Sequence, residues 1–262
     1  MINRNAIIEW SRAVPWKEPY YIEQDLVISR ALVAIYSDEI LATKLAFRGG
    51  TAINKLFIVP PSRYSEDLDF VQIQAEPIGE TLDQIKEALS FLGKPKTKRK
   101  MSNNVLLYAY DAEGNSGMQL RLKIKINCKE HFSVYDKIKI PFSVENQWFT
   151  GQCNVTTYCF DELIGTKLRA LYQRRKGRDL FDIYTAIESG LLNIVHAIEC
   201  YRKYIAYPDG HIPTAKEYLE NLVTKMSDSG FLEDIIPILP HDRVYDIDRA
   251  YNSVVENIVN IM

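Results

Sequence analysis

Two aspartates, Asp67 and Asp69, flank Leu68 in the run Arg63-Tyr64-Ser65-Glu66-Asp67-Leu68-Asp69-Phe70. Residues two apart on a strand share a face. An extended conformation would therefore project both carboxylates together and turn Leu68 and Phe70 to the core. Neighbouring carboxylates repel and raise each other's pKa unless a cation lies between them. Magnesium is the natural occupant, because it is held by few carboxylates plus the phosphate oxygens of a substrate. A solvated strand face is the plainer reading of an isolated D-x-D. Upstream, Gly49-Gly50-Thr51 precedes a helix predicted from Ala52 to Phe57. Glycine backbone can approach a phosphate closely, first-turn N–H groups can bind it, and Thr51 adds a hydroxyl. Alone, such a Gly-Gly-Thr is ordinarily a turn. Joined to a D-x-D strand some 16 residues later, it supplies what metal-assisted nucleotidyl transfer requires, a phosphate cradle beside a metal-holding strand.

Two further acids and a lysine stand out by their company. Phe160, Leu163, Ile164, Leu168 and Leu171 fall on one helical face, and the position that completes the stripe is Lys167. An ammonium there must snorkel to water or meet an anion, because burying it unpaired is costly. The anion could be a nucleotide phosphate or an aspartate. Further on, Arg178-Asp179-Leu180-Phe181-Asp182 opens a helix whose apolar face is Leu180, Ile183, Tyr184 and Ile187. Asp179 suits the positive end of a helix dipole; Asp182 is less well explained by it.

The elements that must position these residues follow from periodicity and from glycine and proline breaks. Residues 22–47 read as one long or two short amphipathic helices. Strands are predicted at 68–73, 105–110, 118–127, 138–144 and 155–160, with a helix at 78–92. The strands at 105–110 and 118–127 form a hairpin across the turn 111–117. After Asp161 the pattern becomes helical, with helices predicted at 161–175, 179–189, 194–204, 214–226 and 243–259. The predicted domains are 1–160, mixed α/β, and 161–262, a helical bundle, with Lys167 and Asp182 of the second contributing to the cleft of the first.

Composition is that of an ordinary globular chain: 262 residues, 47% hydrophobic and 25% charged, with 32 Lys and Arg against 34 acids for a net charge of −2. Nucleic-acid binding would need a local basic patch. Two runs offer one: five cations within Lys94–Lys100 and four within Arg174–Arg178. Each reads equally as a solvated loop or as a grip on a polyanion such as tRNA. The four cysteines form no C-x-x-C pair, the four histidines lack metal spacing, and no run is long and apolar enough to cross a membrane. The N-terminal residues carry no signal-peptide core, so a reduced, cytoplasmic setting without membrane contact is expected.

The motifs Gly49-Gly50-Thr51-Ala52, Arg63 to Asp69, Lys167 and Arg178-Asp179-Leu180-Phe181-Asp182 together resemble the AbiEii/AbiGii (DUF1814) toxin family of the nucleotidyltransferase superfamily, over about residues 22–190. The resemblance implies an α+β fold with a polymerase-β-like mixed sheet followed by a helical bundle. It implies Mg²⁺ on Asp67 and Asp69, and NTP as substrate, cradled by Gly49, Gly50, Thr51, Ser65 and Arg63. Lys167 and Asp182 complete the implied catalytic set. It further implies transfer of NMP to an RNA acceptor such as the tRNA 3′ end, a winged-helix antitoxin as partner, and a role in phage defence. In this superfamily a third carboxylate often lies on a strand beside the D-x-D strand. The candidate strand here, residues 120–127, carries Arg121, Lys123, Lys125 and Asn127 on that face. Asp182 could complete the metal site, a single metal could suffice, or the chain could be a non-catalytic nucleotide-, RNA- or antitoxin-binding protein.

Overall fold

The computed structural model describes residues 2–98, 102–113 and 117–262, which form two compact units. The first comprises the chain up to Ser133 and Lys137–Tyr158; the second comprises Val134–Asp136 and the chain from Cys159 onward. Parts of two expected features, Gly114–Ser116 of the hairpin turn and Arg99 and Lys100 of the first basic run, lie outside the described residues.

In chain order the first unit holds α1 (Arg4–Trp10), α2 (Pro19–Ser37), α3 (Glu39–Lys44), β1 (Leu45–Arg48), α4 (Gly49–Leu56), β2 (Asp67–Gln72), α5 (Gly79–Ala88), β3 (Lys96–Lys98), β4 (Asn103–Asp111), β5 (Gln119–Asn127), β6 (Ile138–Asn146) and β7 (Phe149–Thr157). The strands make one sheet in the order β3-β4-β5-β2-β1-β7-β6. The pairs β2/β5 and β1/β7 are parallel and the rest antiparallel, so the sheet is mixed and the unit is α+β. Along β5, buried Leu120, Leu122, Ile124 and Ile126 alternate with more accessible Arg121, Lys123, Lys125 and Asn127, the period-2 signature of a sheet with one packed face. The core joins that face to Leu68 and Phe70 of β2, Phe47 of β1 and the apolar side of α2. The Phe47 and Phe70 rings lie 5.3 Å apart.

Two short strands depart from the expectation. The helical reading of 22–47 holds for α2 and α3 but fails at Leu45–Arg48, which is the strand β1. Leu45, Ala46 and Phe47 are all buried in the middle of the sheet. A short, wholly buried strand has no polar alternation to set it apart from a helix. Its place is held by tertiary bonds: Tyr36 donates its hydroxyl to Leu45 O and Thr156 O, and Thr157 Oγ1 donates to Phe47 O. The second is β3, an edge strand inside the lysine-rich run, paired with β4.

Helix α4 is anchored from its far end. Asp25 of α2, buried, accepts from Lys55 Nζ at 3.0 Å, Trp10 Nε1 at 3.0 Å and Trp16 Nε1 at 3.2 Å, and Lys55 also reaches Ser29 Oγ. A buried carboxylate survives when it is paired and hydrogen-bonded in this way.

The second unit holds α6 (Phe160–Gln173), α7 (Gly177–Glu188), α8 (Ile194–Ala206), α9 (Ala215–Met226), α10 (Ser229–Glu233) and α11 (Ile247–Asn257). Side-chain caps start four of them: Asn193, Thr214 in a capping box with Glu217, Asp228 and Asp246. The end of α6 is capped from another helix. The buried Lys225 ammonium of α9 donates to Leu171 O and to Tyr172 O, the latter at 2.8 Å. Burial pushes this lysine down to about 8, with Asp179 pulling it back up and Arg175 pushing down. Between about pH 8 and its ordinary value of 10.5, the unfolded chain holds the proton that the folded chain has lost. Lys225 by itself therefore contributes unfolding free energy that rises with pH in that window, and the four thiols, which burial pushes up, contribute in the opposite sense. Urea melts of wild type and Lys225→Met from pH 7.5 to 9.5 cancel the shared groups; the stability of wild type relative to the variant should rise with pH.

Candidate active site

In the first unit the aspartates and the glycine bend meet. The strand β2 alternates as its sequence dictates, with Leu68 and Phe70 buried and Asp67 and Asp69 respectively 22% and 33% exposed, within reach of a solute. Register places Arg48, the last residue of β1, opposite Asp69, and the chain then turns directly into α4. Gly49 makes that turn at φ +82°, in the left-handed region. A Cβ there would come within 2.7 Å of Asp69 Oδ2, so the carboxylate lies against the bend itself. A Cβ on Gly50 would run into the guanidinium of Arg63. The first turn of α4 has no side-chain cap, which leaves its N–H groups, the usual anion-binding end of a helix, without a side-chain acceptor.

Gly49→Ala is therefore expected to lose about 1–3 kcal/mol of stability from the strained φ and to displace Asp69. Gly190, also at positive φ (+68°) but with open space around it, serves as the control for backbone strain alone. Urea melts of both alanine variants, with nucleotide-dependent thermal shifts, separate the two effects: only Gly49→Ala should lose the response to nucleotide.

The hydroxyls are already ordered. Thr51 Oγ1 donates to Asp67 O at 2.5 Å and lies 2.7 Å from Ser65 Oγ, so Ser65 is the donor of that second bond. Arg63 is buried and donates to Tyr64 O at 2.9 Å. The residue that joins these parts is Asn54, which sequence reasoning missed. From inside α4 its Oδ1 accepts from Ser62 N, Ser62 Oγ and Arg63 N, and its Nδ2 donates to Gly50 O at 3.0 Å. Its signal was a polar residue one turn after Gly50 on a short helix, among Ala52, Ile53 and Leu56.

The neighbour of β2 on the other side is β5, in parallel, with Asp67 opposite Lys123 and Asp69 opposite Lys125. Lys125 Nζ pairs with Asp67 Oδ2 and lies 3.7 Å from Asp69 Oδ1, and Lys123 Nζ lies 3.7 Å from Asp67 Oδ1. Lysines thus stand where a third carboxylate was looked for. Among the described residues no cluster of three or more Asp, Glu, His or Cys could hold a metal. The donor set suits one Mg²⁺ completed by phosphate oxygens and water; a second ion would find ammonium groups in place of ligands.

In the second unit Lys167 has met its anions. Its Nζ lies 2.7 Å from Asp182 Oδ2 and 2.9 Å from Asp179 Oδ1, with all three side chains at most 7% exposed. Arg174 grips Asp179 bidentately at 2.6 and 2.8 Å. Burial pushes the Asp179 carboxyl up, but Lys167 and Arg174 outweigh it and hold the group below its ordinary value. The neighbouring cations are paired as well: Arg175 with Asp228, and Lys176 and Arg178 with Asp234, whose carboxyl burial raises and Arg178 and Lys176 pull well below the usual range. The run Arg174–Arg178 is thus tied into ion pairs within its own unit.

Comparison with known proteins shows the family and the fold. The sequence profile of the AbiEii nucleotidyl transferase toxin family, a type IV toxin–antitoxin system, matches residues 30–253. Among solved structures, JHP933 from Helicobacter pylori superposes with a TM-score of 0.58 at 17% identity, covering 94% of this chain and 92% of that one. MenT4, a nucleotidyltransferase toxin from Mycobacterium tuberculosis, gives 0.56 at 13% identity, covering 100% and 99%. At these identities the likeness shows the fold. No curated protein matches the sequence. Among the described residues no helix is long and apolar enough to cross a membrane. With the family profile spanning most of its length, the chain belongs to the AbiEii nucleotidyltransferase toxin family.

Proposed function

We propose that the protein transfers a nucleoside monophosphate from an NTP to an RNA acceptor such as the tRNA 3′ end, using Asp67 and Asp69 to hold Mg²⁺. The observation that supports this is the closeness of Asp69 to the Gly49 bend, by which a cation held on the aspartates would lie beside an uncapped helix N-terminus. Bound there, Mg²⁺ would supply neutralisation of the triphosphate and polarisation of the phosphorus under attack. The chain's own groups do the rest. The N–H groups of Gly49, Gly50 and Thr51 donate to the phosphates, helped by the Ser65 hydroxyl and by the charge of Arg63 beneath Gly50. Lys123 and Lys125, which pair with Asp67 in its absence, would release Asp67 to the cation as the nucleotide arrives.

Lys167 and Asp182 enter this proposal through the motif resemblance: Lys167 steadying charge on the nucleotide, Asp182 assisting the metal or accepting the acceptor's proton. A cytoplasmic setting, an antitoxin partner of winged-helix type and action against phage belong to the same reading.

Incubation with each α-labelled NTP, Mg²⁺ and total RNA tests it. Labelled RNA that disappears with Asp67→Asn supports the reading. Nucleotide binding without incorporation would favour a non-catalytic binding protein, a reading to which the Lys125–Asp67 pair lends weight. A labelled protein band would place the acceptor elsewhere.

A further inference from the structure

Strand register groups charged residues that are far apart in sequence. Residues directly opposite on paired strands share a face. One row across the sheet therefore reads Lys98, Val105, Lys125, Asp69, and the next reads Lys96, Leu107, Lys123, Asp67. Arg121, opposite Ala109, extends the same face by one row. This is the face that the core does not use: Lys96, Lys98 and Arg121 are exposed, and Lys123, Lys125, Val105 and Leu107 are half-buried. Five cations share it with three acids, Asp67, Asp69 and, at the far end of β4, Asp111. Lys123 and Lys125 already neutralise Asp67, whereas Lys96 and Lys98 have no ion-pair partner among the described residues.

We propose that this open face of β3, β4 and β5 is the track on which the acceptor lies, a single-stranded RNA segment whose end reaches Asp67 and Asp69. The inference rests on the nucleotidyl-transfer reading above. Two lysine pairs, each with members about 7 Å apart along its strand and separated from the other pair by two inter-strand steps of about 4.8 Å, form parallel cationic rails. Between them Val105 and Leu107 make a narrow apolar floor. Phosphates engage the rails, and the sugars and bases of an unpaired strand can lie over the floor. A duplex presents its phosphates on a convex cylinder and keeps its bases stacked inside, so it fits a flat rail-and-floor surface poorly. The competing account is that lysines on β3 merely guard an exposed sheet edge against aggregation.

The test is fluorescence anisotropy of an end-labelled, mixed-sequence single-stranded RNA 12-mer without NTP, titrated from 50 to 200 mM salt. The proteins are wild type, Lys96→Ala/Lys98→Ala and Lys96→Arg/Lys98→Arg. Loss of two phosphate contacts should reduce the log–log salt slope by about 1.4 and weaken binding on the order of tenfold at 100 mM salt. The arginine pair should restore both, and thermal shifts with NTP should be the same in all three. An unchanged slope in the alanine pair, with wild type still binding RNA, overturns the track and leaves the enzyme reading standing. So does a complementary duplex competing as well as the single strand, or aggregation of the alanine pair as its only defect. Failure of wild type to bind any RNA, with label appearing on protein, would overturn the RNA-acceptor reading itself.

Discussion

Replacing Asp69 by asparagine is expected to lower nucleotide incorporation by at least ~10²–10³-fold, the scale on which loss of one preorganised electrostatic group acts in an active site. Asparagine keeps the shape and still fits against Gly49, but it removes one of the two charges available to a divalent ion. It also frees Lys125 from half of its pairing, since that lysine lies near both Asp67 and Asp69. Folding should change little, because Asp69 is a third exposed and its cationic neighbour keeps Asp67 as partner. Single-turnover incorporation with a melting curve on the same preparation measures both quantities. A variant that melts like wild type and still incorporates at more than a tenth of its rate would remove Asp69 from the mechanism.

The second large effect falls on stability. Asp179→Asn leaves Lys167 with Asp182 and takes from Arg174, whose side chain is more than half exposed, its bidentate partner. Loss of these charged hydrogen bonds costs about 1.5–3 kcal/mol, because Lys167 stays paired and Arg174 turns to water. At roughly 2–4 °C per kcal/mol for a chain of this size, the melting temperature should drop by about 3–12 °C. The pH dependence has a definite sign. Folding holds the Asp179 carboxyl below its ordinary value of 3.8, so it contributes stability above that value and loses it as pH falls through the folded one. Asp179→Asn should therefore shrink the acid-side loss of stability as well as lower the plateau at neutral pH. Urea melts from pH 3 to pH 7 read both features. The same variant tests what Lys167 does: if it serves only to neutralise buried acids, incorporation should fall in proportion to unfolded protein and no further.

Much of this was legible because the relevant signals are local. Alternation about Leu68 and Phe70 is enough to put Asp67 and Asp69 on one side of a strand, and β2 does so. A glycine pair followed by a small hydroxyl residue marks a helix start, and α4 begins there. The apolar stripe from Phe160 to Leu171 specifies α6 and, by interruption, marks Lys167 as a residue that needs an anion. Such patterns depend on residues within a turn or two of one another, where backbone periodicity alone decides which side chains are neighbours. The strand β1 shows where that reasoning stops, since three consecutive buried residues carry no periodicity of either kind. Its conformation follows from the partners on both sides, β2 and β7.

By itself, then, the sequence determined the chemistry on each element: carboxylates on a strand, a glycine-led helix start, a lysine in an apolar stripe, and the motifs that mark the family. The tertiary structure alone decided which elements became neighbours. Parallel pairing of β5 with β2 set Lys123 and Lys125 against the aspartates, and pairing of β3 through β4 brought Lys96 and Lys98 onto the same face. Packing of α7 on α6 chose Asp179 and Asp182 as the anions of Lys167. The reason is physical: a strand offers the same hydrogen-bonding groups whatever its side chains. Which strand lies beside it, and in what register, is settled by burying apolar faces that lie far apart along the chain.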